Sequence, residues 1–386
     1  MHEAGAPDLL LEPECQHFRG DVPCRYHTAE GARCRCAHYR PRGRRVLLIK
    51  LGALGDVIRT TPLLRRLKAD QPDCEVTWVT RTPDVLPSLV DVPLPLDLPT
   101  ALRLQADRFD AVWNLDKDPE ACALAMLVPA EEKRGFGWHR GRCVPLDEAA
   151  RPKFLTGVDD PWNRENPRSY PAEIFAMVGL EFRGERYLLA RPAPAPTLPP
   201  LAGPVVGLNT GCGGRWPSRL WPEAHWIALA RALRAEGRSV LLLGGPDEDG
   251  RNRQIAAKAG ATYWGAFALG DFIHVVDRCE LVVTGVTLGL HIALGLEKRV
   301  VLLNNIFNPR EFELYGLGEI VEPPVACTCY FRPTCRAEVP CLSTLTPAAV
   351  LSAVARQLPE RMPAASPPRS TPAKAAEPAR LVAVTS

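Results

Sequence analysis

The chain has 386 residues, 46% of them apolar, which is enough for two domains with sizeable cores. Its formal net charge of +3 is too small to point to nucleic acid, and no apolar run reaches the roughly 18 residues of a membrane span. The opening MHEAGAPDLLLEPEC lacks the basic stretch and apolar core of a secretory signal, so the expected compartment is the cytoplasm.

Residues 1–43 are rich in Cys and His. Cys15, Cys24, Cys34 and Cys36 are interleaved with His17, His27 and His38. In a reducing compartment, clustered cysteines favour metal over disulfides. Four thiolates in one short segment can close a tetrahedral structural zinc site. An iron–sulfur cluster and unpaired thiols are the alternatives. Arg40 to Arg45 (RPRGRR) reads either as a solvated linker or as a weak attraction for an anionic surface.

Residues 44–190 alternate strand and helix signals. Strands are predicted over 46–49, 76–79 and 111–114, and helices over 62–68 and 170–178. Residues 191–204 (RPAPAPTLPPLAGP) form a stiff, extended linker. A second α/β domain, 205–358, follows, with strands over 205–208, 239–243, 281–283 and 300–303. Helices are predicted there over 221–236 and 347–358. The near-continuous apolar strands suit parallel sheets covered on both faces. The Pro/Ala/Ser-rich tail, 359–386, is predicted to be disordered. The expected fold is therefore α/β, two Rossmann-like domains with a ligand cleft between facing strand ends.

The chemistry falls in the loops. In VLLIKLGALGDVIRTTP, a strand runs into a turn holding Gly52, Gly55 and Asp56, and then a helix starts. Asp56 either caps that helix or acts as a general base, kept ionised by the helix N-terminus. In the second domain, Asn209-Thr210-Gly211-Cys212-Gly213-Gly214-Arg215 continues to Arg219 ahead of a helix. Small residues admit backbone N–H groups to an anion, and the two arginines offer forked donors, so the loop reads as a phosphate site. Glu248, in the turn after the next strand, is a candidate for a ribose hydroxyl, while its neighbour Asp247 reads as a cap. Thr287, Leu288, Gly289 and His291 sit in a further strand-to-helix loop that suits phosphate. Neither half carries GxGxxG followed by a ribose-binding acid, which disfavours a dinucleotide oxidoreductase.

Five stretches, KLGALGDVIRTTPLLRRLK, GLNTGCGGRWPSRLWPEAHWIALA, LLLGGPDEDGRNRQIA, TGVTLGLHIALGL and NPREFELYGLG, stand in the order found in glycosyltransferase family 9. Over residues 44–358 the chain resembles that family, the bacterial heptosyltransferases. The resemblance implies the GT-B architecture and inverting transfer of a heptose from ADP-heptose to a hydroxyl of a lipopolysaccharide-core-type acceptor, with no catalytic metal. It implies Asp56 as the base, Arg219 at the donor diphosphate in place of a usual lysine, and Thr287, Leu288, Gly289 and His291 in the diphosphate loop. It also aligns Glu248 with a ribose-contacting acid and puts the acceptor on loops of the first domain, such as Arg134 to Arg142 (RGFGWHRGR). A lipid-linked acceptor implies peripheral contact with the inner membrane. Relatives carry a four-cysteine loop like Cys327, Cys329, Cys335 and Cys341, which reads as a second metal site or a thiol-rich acceptor loop.

One position departs from the family pattern. Val286 stands where similar sequences carry Asp, so the chain is expected to bind an ADP-sugar with a changed sugar preference or slower turnover. Two alternatives stay open. One is the same fold with a different ADP-sugar or a protein or other glycan acceptor. The other is a non-catalytic sugar-nucleotide-binding homologue.

Overall fold

The computed structural model describes residues 11–358; the first ten residues and the tail predicted to be disordered, 359–386, lie outside the described residues. Eleven strands are found there: β1 (Arg45–Ile49), β2 (Glu75–Thr80), β3 (Val92–Pro95), β4 (Phe109–Asn114), β5 (Ala130–His139), β6 (Arg142–Pro145), β7 (Val205–Asn209), β8 (Ser239–Leu243), β9 (Leu281–Gly285), β10 (Arg299–Leu303) and β11 (Gly318–Val321). They form two sheets, ordered β3-β2-β1-β4-β5-β6 and β11-β10-β9-β7-β8. All pairings are parallel except the β5–β6 hairpin.

Each sheet is buried on both faces. Val46 and Leu48 enter one core cluster with Trp78, Trp113 and Phe175, while Leu47 and Ile49 enter the opposite one with Phe109 and Leu124. This is why β1 reads as an unbroken apolar run rather than an alternating one. In the second sheet, Val206 and Leu208 pack with Trp221 and Trp226, and the other face carries Leu241, Val282 and Leu290. In both sheets the strand order reverses beside the first strand of the domain, β1 or β7. Ligands settle beyond the carboxyl ends of strands at such switch points.

The predicted strands all form, 239–243 with its predicted bounds and the others extended by a residue or two. The helix expected from Trp221 starts at Glu223, with Pro222 as its N-cap. Fixed near −65° in φ and lacking an N–H, proline fits that entry. The predicted basic loop Arg134–Arg142 is instead the end of β5 and its hairpin turn into β6. There Arg134 faces Glu132 and Asp147, so it is not a free cation. Arg44 and Arg45 are likewise committed within the protein, to Glu132 (2.9 Å), Asp107 (2.7 Å) and Glu75 (3.3 Å). The chain joins the second core before the expected linker, since Tyr187 and Leu189 already pack there.

The zinc expectation finds no support. Among the described residues no group of three or more His, Cys, Asp or Glu side chains is arranged to hold a metal ion. Cys15, Cys24, Cys34 and Cys36 stay free and half-exposed. Other contacts close the segment. Tyr26 stacks on His38 at 3.8 Å, His38 meets Glu30 at 2.9 Å, and the backbone of Gln16 and Arg42 bonds to Arg40 and Glu14. In the second cysteine cluster, the Sγ atoms of Cys327 and Cys329 lie 3.3 Å apart, and Cys341 Sγ accepts from Asn305 at 3.7 Å.

Candidate active site

The loops after β1, β7, β8, β9 and β10 line one cavity of about 840 Å³ between the two sheets. One wall is the helix Leu54–Ile58, entered from β1 through Lys50–Ala53. Asp56 lies in its first turn. The capping role open to Asp56 is not taken, since the N-cap is Ala53 and no side chain caps this helix. Its carboxylate instead meets Arg59 Nε at 2.8 Å and Lys50 Nζ at 4.0 Å, with about a third of the side chain (32%) left open. Burial works to raise the Asp56 carboxyl, but Arg59 and Lys50 outweigh it and hold it below the ordinary carboxylate range.

Both cations are themselves buried and paired. Lys50 Nζ is 3.3 Å from Asp116, whose carboxylate also takes the N–H groups of Leu51 (2.9 Å) and Gly52 (3.3 Å). Asp116 thereby pins the turn that delivers Asp56. Arg59 lies over the Tyr170 ring at 3.5 Å and reaches Glu311 of the second domain at 2.7 Å. Lys50, Arg59 and Asp116 escaped the sequence reading. Arg59, three residues after Asp56 on one helix, was the legible one; the Lys50–Asp116 pair needs β1 and β4 side by side.

Gly55 marks where the domains touch. A Cβ there falls 2.4 Å from His291 Cδ2, so only glycine lets the helix Leu54–Ile58 approach the helix Leu288–Gly295 this closely. Ile58, from the same helix, is buried in the second domain's core.

The opposite wall gathers the predicted donor loops. Asn209 Nδ2 donates to Thr284 Oγ1 (2.9 Å) and Thr287 Oγ1 (2.8 Å), and Thr287 caps the helix Leu288–Gly295 through Gly289 N. Arg219 donates to the carbonyls of Val286 and Cys212, bridging two loops, with its guanidinium between Trp216 and Phe307. Its Nε and His291 Nδ1 are buried without a hydrogen-bond partner. Both residues line the cavity, and a buried polar atom without a partner is a site for one. Arg215 carries no ion pair among the described residues and lines both this cavity and a second one of about 290 Å³. Burial, helped by Arg59 and opposed by Asp56, brings the His291 imidazole down to about 3, so it is neutral rather than cationic.

The remaining predicted residues divide. Gly52 lines the second cavity with Arg81 and Thr82. Thr210 faces inward, where its hydroxyl bonds Asn252. Glu248 lines the main cavity, yet both carboxylate oxygens are engaged, by Gly213 N (3.1 Å) and Gly245 N (2.9 Å). It ties two loops together; Gly211 has no Cβ because one would fall 2.1 Å from the Glu248 side chain. Asp247, read as a cap, is in the first turn of the short 3-10 segment Pro246–Glu248 and lines the same cavity. Sequence reading missed the apolar lining: Phe267, Leu269 and Phe272 around the start of the helix Leu269–Asp277, and Phe307 and Phe331 from two further loops.

A family model described as glycosyltransferase family 9 (heptosyltransferase) matches residues 100–321, more than half of the chain. The chain belongs to glycosyltransferase family 9. It is a glycosyltransferase of the heptosyltransferase type, and the matched stretch covers the loops after β7, β8, β9 and β10 and starts downstream of Asp56. Lipopolysaccharide heptosyltransferase 2 of Salmonella typhimurium is 22% identical over 300 residues, 69% of this chain and 84% of that protein. A glycosyltransferase family 9 structure from Veillonella parvula superposes with a TM-score of 0.60 at 16% identity, over 81% of this chain and 97% of that one. The structure of E. coli ADP-heptose lps heptosyltransferase II gives a TM-score of 0.57 at 18% identity, over 81% and 98%. These likenesses carry the fold: two parallel-sheet α/β domains in the GT-B arrangement. No helix among the described residues is long and apolar enough to cross a membrane.

Proposed function

We propose that this family 9 enzyme moves a heptose from ADP-heptose to a hydroxyl of a lipopolysaccharide-core-type acceptor, with inversion at the anomeric carbon and Asp56 as general base. The observation that carries the reading is one cavity with an ionised carboxylate on one wall and, on the other, Arg219 and His291, whose Nε and Nδ1 are buried without a partner. The acceptor hydroxyl gives its proton to Asp56 as its oxygen attacks the anomeric carbon. The bond from that carbon to the β-phosphate oxygen breaks, and ADP leaves. Negative charge growing on the diphosphate meets Arg219, Arg215, the His291 N–H and the N-terminus of the helix Leu288–Gly295. Donors fixed in advance around developing charge are the strongest catalytic device such a site has. Gly52, with the adjoining small cavity, is the acceptor side.

Asp56→Asn tests the reading. Transfer falls by roughly 10²- to 10⁴-fold while ADP-sugar binding, read by calorimetry, persists. A wild-type protein that binds no ADP-sugar refutes the donor assignment, and an active Asn variant refutes the base.

A second reading keeps the fold and the base but changes the sugar. Val286 favours it: its side chain lines the cavity and packs with the apolar cluster around Leu290, where it offers a sugar no hydrogen bond. A panel of ADP-sugars compared by turnover separates the two readings.

A further inference from the structure

The base belongs to an alternating group of charges. Asp56 is flanked by two cations, and each cation has a second carboxylate of its own: Lys50 has Asp116 at 3.3 Å, and Arg59 has Glu311 at 2.7 Å. The first pair lies wholly within the acceptor-side domain. The second crosses the cleft, because Glu311 sits in the turn Pro309–Glu311 of the donor-side domain. That turn is clamped to the opposite domain by Asn308, whose Nδ2 donates to the carbonyls of Asn163 (2.8 Å) and Asn166 (2.7 Å).

We infer that Glu311 is a positioning residue for Asp56: by holding the far end of Arg59 it sets the geometry and the field of the base, and it does so only when the domains meet. The inference rests on the reading of Asp56 as the base. A guanidinium is a planar fork, so fixing one nitrogen on Glu311 and stacking the plane on Tyr170 decides where its charge sits. Nε then lies 2.8 Å from Asp56 as an ion pair, without a hydrogen bond between them. Glu311 also offsets the charge of Arg59. When the domains part, Arg59 is left to Asp56 alone, the carboxylate is held more tightly in its ionised form, and it accepts a proton less readily. Closure thus restores basicity where and when an acceptor is enclosed.

The other groups facing Asp56 do not replace this contact. Lys50 comes from the end of β1, and Lys153, from the helix Arg151–Leu155, is paired with Glu173 at 2.7 Å. His291, from the other side of the cleft, is neutral, and burial pushes the Tyr187 phenol well above its ordinary range. Glu311 lines the cavity as well, so the alternative is a donor ligand, and the test separates the two.

The test uses the full chain with Glu311→Gln and Glu311→Asp. In the Gln variant, kcat falls roughly tenfold to a hundredfold, as for a displaced catalytic group, while the Kd for the ADP-sugar stays within about twofold. The acid limb of the kcat/KM profile moves to lower pH, because Arg59 now acts on Asp56 undivided. Glu311→Asp keeps the charge and recovers part of kcat; it also serves if the Gln variant does not fold. A tenfold weaker Kd with unchanged kcat makes Glu311 a donor ligand and overturns the inference, as does a Gln variant with wild-type kcat and acid limb. Proton titration of each variant, by difference against its Asp56→Asn form, reads the same effect without turnover. If the wild type proves inactive with every ADP-sugar, the proposed function fails, while the titration still decides the role of Glu311.

Discussion

Replacing Gly55 with Ala tests the domain contact that forms the site. The added Cβ falls 2.4 Å from His291 Cδ2 and 3.2 Å from its Nε2. Ordinary contact begins at 3.4 Å, so the two helices must separate by about 1 Å. His291 cannot swing aside, because its ring is buried in the helix Leu288–Gly295. Overpacking of this kind costs about 1–3 kcal/mol, against a gain of about 0.5–1 kcal/mol from replacing glycine in a helix. Net destabilisation is therefore small. Turnover is more sensitive, since a 1 Å misplacement between reacting groups costs up to about 10²-fold. The expected result is a kcat lowered by about ten- to a hundredfold, with a melting temperature shifted by only a few degrees. Steady-state kinetics and thermal unfolding measure the two. A Gly55→Ala enzyme with wild-type kcat would show that the domains need not approach this closely during transfer, and the reasoning would fail.

Other outcomes follow from the same geometry. Arg219→Ala, which removes the guanidinium bridging the Cys212 and Val286 carbonyls along with the orphaned Nε, weakens ADP binding roughly tenfold or more; unchanged binding by calorimetry refutes its place at the diphosphate. His291, held near 3 in the fold against a usual 6.5, takes up protons more readily when unfolded. Its contribution to stability is thus complete above pH 6.5 and erodes as pH falls toward 3, by roughly 1–2 kcal/mol at pH 5. Urea unfolding at pH 7.5 and pH 5 is expected to show a shallower loss for His291→Gln than for the wild type, and equal losses would contradict a buried neutral imidazole.

Much of the architecture was legible in sequence because it depends on local pattern. Runs such as Val46–Ile49 and Val240–Leu243 are apolar throughout, since both faces of each sheet are covered, and that continuity announces parallel strands. The glycine turns after β1 and β7 and the order of the five family stretches located the cleft. They also picked out Asp56, Arg219 and His291, which line it. Edge elements were harder: β3, β11 and the β5–β6 hairpin are short or mixed in polarity, and RGFGWHRGR looks like a loop until its pairing with β6 is seen.

What sequence alone determined, then, was the alternation of strands and turns and the residue types available at each turn, because backbone preference and hydrophobic period act over a few residues. Tertiary structure decided how each side chain is used. Cys15, Cys24, Cys34 and Cys36 are close in sequence but do not converge, since the segment is held by Tyr26, His38 and its own backbone bonds. Glu248, read as a candidate for a ribose, also ties two loops together, each of its oxygens accepting one loop amide. Lys50 and Asp116, 66 residues apart, and Arg59 and Glu311, 252 apart, become the frame around Asp56 only once two sheets have formed and closed on one another. Charge interactions act through space, and no local pattern in the chain encodes the distance across a cleft.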